Sequence, residues 1–330
     1  MAVDKVLITG AGLRPNGFEL GDGKYYEKSI MVSLDLSTGH FTEVLSKKEG
    51  GAHYPDEHPN LQYTAACLEG DVLWLPTDTE IYKYSLPDLE IQAVFSHPCF
   101  QNVHSVHVFG DDLAVTSTGL DNVVLLDKRS GKVQGILNTE GLDPWHRFSP
   151  TTDYRKVHST KPHHSHPNYV FKLEGKLWVT RCTQGDAVCL SDVNDSIDIS
   201  DGGAISVHDG LWWGDKLVFT RVDGTLVVCE PETRTVTEKH DPFKAHRNRP
   251  NGWCRGLLIE EDIFYIGFSK LRKTNFKSKL KYLSKGNFRY SSGNNSIVVA
   301  YDMRNKQVLS IHEAPEGMID AIYGILPWRY

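Results

Sequence analysis

Short apolar runs recur along the whole chain, each about as long as a β-strand and rich in Val, Leu, Ile, Trp and Tyr. Gly, Asp and Asn residues separate the runs, as tight turns between strands require. We find no convincing stretch that repeats apolar residues at the 3.6-residue spacing of an amphipathic helix. The pattern therefore predicts an all-β protein.

The runs are organised as an internal repeat. Each of five segments reads as a strand, a turn with Gly or an acidic residue and a second strand, and a third and often a fourth strand follow. The five segments begin at Leu61, Gln101, Ser165, Ile205 and Gly252. Four antiparallel strands that recur at roughly 40 residues are typical of a β-propeller blade.

The two ends of the chain complete the repeat. The N-terminal part supplies three strands without an inner one, KVLITGAG, SIMVSLDLSTG and HFTEVLS, and the C-terminal DAIYGILP supplies an inner strand alone. Joined, they form a mixed blade that closes the ring and removes its open edge. We expect a single six-bladed β-propeller domain over residues 1–330, with five or seven blades as alternatives if the ends join differently.

Two insertions lengthen the repeat, at 139–165 and 268–293, and both are expected to overhang the same mouth of the channel. The first is rich in His and aromatic residues, which suits ligand recognition or, equally, packing on the rim. Its members are His146, His158, His163, His164, Trp145, Phe148 and Tyr154. The second is rich in Lys and Arg without an acidic residue. It would guide an anionic ligand toward the mouth, or be a solvated loop.

Aligning the inner strands places one residue of each blade at the same level of the channel. These residues are Thr64, His104, Asn168, His208, Arg255 and Asp320. An ordinary packing layer would carry Val, Ala or Gly there. Polar side chains in a partly enclosed space are costly unless they bind one another or a ligand. The alignment therefore predicts a functional site, although a single buried His can also tie adjacent blades together.

Two chemistries fit this set. In one, His104 and His208 ligate a divalent transition metal (Fe, Zn, Mn, Cu or Ni), and Asn168, Asp320 or His166 completes the shell. Arg255 then holds an anionic group of the substrate. In the other, no metal is bound, one histidine is a general acid or base, and Arg255 and Asn168 stabilise negative charge.

Composition narrows the partners. The chain has 330 residues, 40% hydrophobic and 24% charged, with a net charge of −6, which disfavours nucleic acid. No apolar run approaches the roughly 20 residues of a membrane helix, so no membrane association is expected.

The opening MAVDKVLITGAG lacks signal-peptide features, so we expect a cytoplasmic protein with reduced cysteines. Residues 8–17 (ITGAGLRPNG) lack the helix of a dinucleotide fingerprint, and no nucleotide cofactor is expected.

The phrases NVHSVH, STKPHHSHPN, SVHDG and NGWCRG together resemble a family of poorly characterised bacterial β-propeller proteins, over about Leu61 to Arg272. The resemblance implies the propeller fold and implies that recurring motifs include His104, His166, Asn168, His208, Trp253 and Arg255. It implies no reaction. By architecture the chain is also similar to six-bladed enzymes with a channel metal, such as the gluconolactonase-like hydrolases. Those enzymes hold their metal with carboxylate and Asn ligands, and the His-rich set here departs from that pattern.

The leading hypothesis is an enzyme that acts on a small anionic polar metabolite in the channel, by hydrolase, lyase or isomerase chemistry. We expect His104, His208, Arg255 and Asn168 to be catalytic. The residues expected to contact the substrate are Arg255, Trp253, Thr64, His166 and His164. The alternative is a non-catalytic propeller that binds a peptide or protein partner at its rim, and a sugar-binding lectin ranks last.

Overall fold

The computed structural model describes residues 3–14, 26–203, 206–244, 252–270 and 295–330. They form six four-stranded antiparallel sheets, the blades of a β-propeller. The all-β class and the six blades are thereby confirmed. Helix in the described ranges is limited to two 3-10 turns, Thr118–Leu120 and Tyr154–Lys156. No helix in these ranges is long and apolar enough to cross a membrane.

Blade 1 joins the two ends of the chain, as the sequence predicted. From the channel outward it contains β24 (Ala321–Trp328), β1 (Lys5–Leu13), β2 (Tyr26–Asp35) and β3 (Phe41–Lys47). Strand β1 pairs with β24 on one side and with β2 on the other, so it has no free edge.

The other five blades follow one another along the chain, each running from an inner to an outer strand. Blade 2 contains β4 (Cys67–Glu69), β5 (Val72–Pro76), β6 (Ile81–Ser85) and β7 (Glu90–Phe95). Blade 3 contains β8 (Val103–Phe109), β9 (Asp112–Ser117), β10 (Asn122–Asp127) and β11 (Val133–Asn138). Blade 4 contains β12 (Pro167–Leu173), β13 (Lys176–Arg181), β14 (Asp186–Cys189) and β15 (Asp192–Asp198).

Blades 5 and 6 complete the circle. Blade 5 contains β16 (Val207–Trp213), β17 (Lys216–Arg221), β18 (Leu226–Glu230) and β19 (Thr235–His240). Blade 6 contains β20 (Gly252–Glu260), β21 (Ile263–Lys270), β22 (Ile297–Asp302) and β23 (Gln307–Glu313).

Burial separates middle from outer strands. Middle strands such as β9 and β17 are almost wholly buried, whereas β15, β19 and β23 alternate between exposed and covered positions, as edge strands facing solvent do. Inner strands of neighbouring blades contact one another around the ring. The apolar core therefore lies between the blades, and the inner strands surround the central channel.

A β-bulge interrupts the inner strand of five blades at a common position. In blade 3, Val103 pairs with Ser117 and Val106 with Val115, so two residues oppose the single Thr116. Corresponding register shifts occur in β12, β16, β20 and β24. A bulge redirects side chains out of the regular pleat. Here it acts on the polar positions that line the channel.

Candidate functional site

The bulges define the ring of residues at the channel. In the short inner segment of blade 2, Ala65 bridges Ser105 of blade 3, and its N–H donates to the carbonyl of His104 at 2.9 Å. Thr64 therefore occupies the position of His104. The set, called here the channel ring, is Thr64, His104, Asn168, His208, Arg255 and Tyr323. Five of the six agree with the sequence alignment.

Blade 1 contributes Tyr323 to the ring in place of the predicted Asp320. Ala11 pairs with Ala321 and Thr9 with Gly324, which puts Tyr323 at the bulge. The carboxylate of Asp320 instead accepts a hydrogen bond from the Leu13 N–H at 2.8 Å and lies 3.4 Å from Lys270 Nζ. It lines a rim cavity of about 630 Å³ between blades 1 and 2. The alignment was wrong here because, along the sequence, no second strand of the same blade follows this inner strand. The repeat therefore could not fix its register.

His104 and Asn168 form a buried pair with a defined tautomer. Asn168 Nδ2 donates to the carbonyl of Val207 at 2.8 Å, so Asn168 Oδ1 faces His104 Nδ1 at 2.7 Å as the acceptor. The proton of neutral His104 is therefore on Nδ1, and Nε2 carries the lone pair. Burial, followed by the neighbouring His208 and Arg255, holds the pKa of His104 well below its usual range. His104 is thus neutral at physiological pH.

His208 forms a dyad with the next residue, Asp209. His208 Nδ1 lies 3.2 Å from Asp209 Oδ1, and both side chains are buried. Asp209 Oδ2 is fixed by the hydroxyl of Thr220 at 2.8 Å and by the N–H of Gly256 at 2.9 Å. His208 Nε2 is buried and has no hydrogen-bond partner among the described residues. A carboxylate on one nitrogen and an open second nitrogen characterise an oriented general base.

Arg255 supplies positive charge to the ring. Its guanidinium carbon lies 4.9 Å from the centroid of the Tyr323 ring, within cation–π range. Among the described residues no carboxylate forms an ion pair with Arg255, and its buried Nε has no hydrogen-bond partner there. A guanidinium held on an aromatic face without a carboxylate has donors available for an anionic ligand.

His166 lies beside the channel ring. Its ring centroid is 5.0 Å from that of His104, and its Nδ1 is 2.8 Å from Nδ1 of His163. Burial, followed by His104 and His163, holds the pKa of His166 well below its usual range. The structure therefore brings together His104, His166 and His208, as predicted, and adds His163 from the insertion.

Asp121, in the β9–β10 connection of blade 3, fixes the segment that carries these histidines. Its Oδ1 accepts from the N–H groups of Ser165 and His166, and its Oδ2 accepts from the N–H of His164 and from Arg147. His166 has a positive φ of 53°, which these bonds hold in place. The sequence offered no sign of this role.

The remaining predicted residues have different positions. The carbonyl of Thr64 accepts from the Thr9 hydroxyl at 2.8 Å, and its own buried hydroxyl has no partner among the described residues. Trp253 is half-buried on β20, two residues before Arg255. His164 is exposed, with Nδ1 3.5 Å from Glu140 Oε2. The structure therefore directs His164 toward Glu140 rather than toward the ring.

The first insertion contacts the connection between blades 1 and 2. Its His158 Nε2 is 2.7 Å from the carbonyl of Glu57, and Phe148 packs edge-on against Tyr154. Phe148 and Tyr154 thus pack against each other, while His163, near the end of the insertion, contacts His166 beside the ring. Residues 271–294, most of the second insertion, lie outside the described ranges.

The geometry of His104 and His208 supports one feature of the channel-metal hypothesis and does not supply a third ligand among the described residues. His104 and His208 each direct Nδ1 toward an oxygen, the usual arrangement of metal-binding imidazoles. Their ring centroids are 6.1 Å apart, and they belong to no cluster of three candidate ligands among the described residues. The channel metal stays a prediction.

Within the channel ring and the dyad, Tyr323 and Asp209 are the residues that the sequence analysis missed. Tyr323-Gly324 matches Arg255-Gly256, and this dipeptide would have given the correct alignment. Asp209 was missed because consecutive side chains on a regular strand point to opposite faces. The bulge removes this alternation, so Asp209 can contact His208.

Comparison with known proteins supports the fold. No protein-family model and no curated protein matches the chain. Among solved structures it is similar to a protein of unknown function from Bacteroides caccae, with 9% identity, 100% of both chains covered and a TM-score of 0.64. It is also similar to the Pan2 WD40 domain of Neurospora crassa, with 12% identity, 76% of this chain and 65% of that chain covered, and a TM-score of 0.47. The first likeness shows the fold alone; the family that the motifs suggest stays a prediction.

Proposed function

We propose that the protein is an enzyme that acts on a small anionic polar metabolite at the channel ring. The observation that carries this proposal is the His208–Asp209 dyad, whose open Nε2 belongs to the same ring as the guanidinium of Arg255. A base with an orienting carboxylate beside an available cation is an arrangement that enzymes use for proton transfer on anions.

Arg255 binds the anionic group of the substrate. Its planar guanidinium offers paired donors that match a carboxylate or a phosphate. The neighbouring His104 and His166 are neutral, because burial and nearby positive charge disfavour their protonation. The charge of Arg255 is therefore available to the ligand and to negative charge that develops during the reaction.

His208 moves the proton. Its Nε2 takes a proton from the substrate or from a water molecule, and Asp209 stabilises the resulting imidazolium through Nδ1–H. Return of the proton to a different substrate atom gives isomerisation, whereas its delivery to a leaving group gives elimination. Deprotonation of a water molecule gives hydrolysis. Asn168 positions His104, and Tyr323 positions Arg255.

His208→Ala and Asp209→Asn test the proposal on an identified substrate. We expect His208→Ala to lower kcat by about 10²–10⁴-fold, the usual contribution of a general base, with KM changed far less. Asp209→Asn should also lower kcat and alter the pH profile, because the amide favours the wrong imidazole tautomer. Arg129→Ala, with a side chain 82% exposed on blade 3, serves as the control. A folded His208→Ala protein with full activity would contradict the assignment.

A further inference from the structure

A second cluster of histidines and a carboxylate lies at the two ends of the first insertion. Candidate ligand atoms of Glu140, His146 and His164 all lie within 4.8 Å of one another. Glu140 Oε2 and His164 Nδ1 are 3.5 Å apart. Ligand atoms that surround a tetrahedral zinc ion at about 2.0–2.1 Å are separated by about 3.3 Å. The cluster therefore has the dimensions of a metal site.

The support around the cluster orients it for a metal. His146 Nδ1 is 2.8 Å from the carbonyl of Asp143, which can only accept, so Nδ1 carries the proton and Nε2 carries the lone pair. The backbone N–H of His164 donates to Asp121 Oδ2 at 2.9 Å, and that of Glu140 donates to Asn138 Oδ1 at 3.0 Å. The ring contact fixes the tautomer of His146, as outer contacts of metal ligands do, and the backbone contacts hold the segments that carry His164 and Glu140 in place.

Glu140 supplies an independent sign of a missing partner. Its Oε2 is buried, yet it has no hydrogen-bond partner among the described residues. The 3.5 Å separation from His164 Nδ1 is too long for a good hydrogen bond. A buried carboxylate oxygen without a donor is costly, and a cation between the three ligands would satisfy it.

We propose that Glu140, His146 and His164 bind one zinc ion, with a water molecule at the fourth position. Two imidazoles and one carboxylate suit zinc, whereas calcium and magnesium prefer oxygen ligands alone. The ion joins the start of the insertion to its end, where His163 and His166 approach the channel ring. Zinc binding therefore fixes the segment that borders the proposed active site. This inference stands apart from the proposed function.

Titration of the metal-free 330-residue chain with Zn²⁺ by calorimetry tests the site. We expect one tightly bound equivalent in the wild type and a loss of affinity of about tenfold or more in His146→Ala, His164→Ala and Glu140→Gln. Both histidines are exposed, so their removal should leave the fold intact. His158→Ala, on the same insertion, should bind as the wild type does.

The double variant His104→Ala/His208→Ala separates this site from a channel metal. We expect it to retain the zinc equivalent, and Co²⁺ bound to it should show the intense absorption of a four-coordinate site. Absence of zinc binding by the wild type would overturn the proposal. The proposal would also be overturned if His146→Ala and His164→Ala bound zinc with wild-type affinity. Loss of the zinc equivalent in the His104→Ala/His208→Ala variant alone would overturn it too.

Discussion

At the residue scale, buried polar groups of this protein fall into two kinds. Some, such as Asn168, have a hydrogen-bond partner for each polar side-chain atom and position a neighbour. A few have open atoms, among them His208 Nε2 and Arg255 Nε. An unmatched buried polar atom costs about 1–3 kcal/mol, and the ligand proposed above would supply a partner to each of these two atoms.

Asp78 is a buried carboxyl whose ionisation opposes folding. It is 7% exposed, and its Oδ1 accepts only from the neutral amides of Asn60 at 2.9 Å and Gln62 at 3.0 Å. Burial raises the pKa of Asp78 to about 7, despite these two hydrogen bonds. In the unfolded chain the pKa of an aspartate is about 3.9. The folded state therefore binds more protons between these values, and Asp78 makes stability fall as pH rises from about 4 to about 7.

Asp78→Asn should remove this dependence. We expect the free energy of unfolding of the variant, relative to the wild type, to increase between pH 4 and pH 7 by up to about 4 kcal/mol and to stay level above that. Urea denaturation of both proteins across this range measures the difference. Asp111→Asn, at a side chain 81% exposed, serves as the surface control. If the difference in the free energy of unfolding between the wild type and Asp78→Asn does not change with pH, the raised pKa of Asp78 is contradicted.

At the element scale, loops of blade 3 and blade 4 are joined by one side chain. Asp121 accepts from three consecutive backbone N–H groups and pairs with Arg147 at 2.6 Å. This arrangement holds residues 164–166 beside the ring and the proposed zinc ligands in register. The channel ring and the proposed zinc site thus both depend on Asp121, which belongs to neither of them.

Asp121→Ala should loosen that segment selectively. Loss of the carboxylate leaves three N–H groups and Arg147 without their partner, which should cost about 3 kcal/mol of stability. Hydrogen exchange should become faster at residues 164–166, while the strands of blades 5 and 6 keep their protection. Asp88→Ala, an exposed change in blade 2, should leave these amides unaffected. Unchanged exchange at 164–166 in Asp121→Ala would show that Asp121 does not hold the loop.

The strands could be predicted from the sequence, whereas the contacts between loops could not. Strand alternation and turn residues are local signals, and they gave the blades and five of the six ring residues. Tyr323 and Asp209 depend on bulges, which break that alternation. Glu140 and His164 meet across the long first insertion, and Asp121 reaches it from another blade. These contacts between distant segments form because the ring is closed. No periodic pattern in the sequence predicts them.

At the scale of the whole molecule, the ring is closed by the pairing of β1 with β24. Gly10 is necessary for that pairing, because a Cβ there would lie 1.9 Å from the carbonyl oxygen of Ala321. Gly12 is on the same strand, and its Cβ would meet only the side chain of Lys28, at 3.4 Å from Cε and 3.6 Å from Cβ. The two glycines therefore form a matched pair for testing the closure.

Gly10→Ala should destabilise the protein by about 1–3 kcal/mol, because backbone atoms on both strands must shift to admit the methyl group. Gly12→Ala should be nearly neutral. Thermal or urea denaturation of the two variants measures the contrast. Equal stability of the two variants would mean that β1 and β24 do not approach as closely as the closed blade requires.

The most direct test of the channel site is the binding of small anions. Thermal melting of the wild type is followed with a panel of small carboxylates and phosphate esters, beside Arg255→Met, His208→Ala and the exposed-site control Arg129→Met. We predict that at least one anion stabilises the wild type and Arg129→Met, by about 2.7 kcal/mol at a concentration 100 times its Kd, and that Arg255→Met loses the effect. Stabilisation that persists unchanged in Arg255→Met, or a panel in which no anion stabilises the wild type, would contradict an anion-binding site at the channel ring.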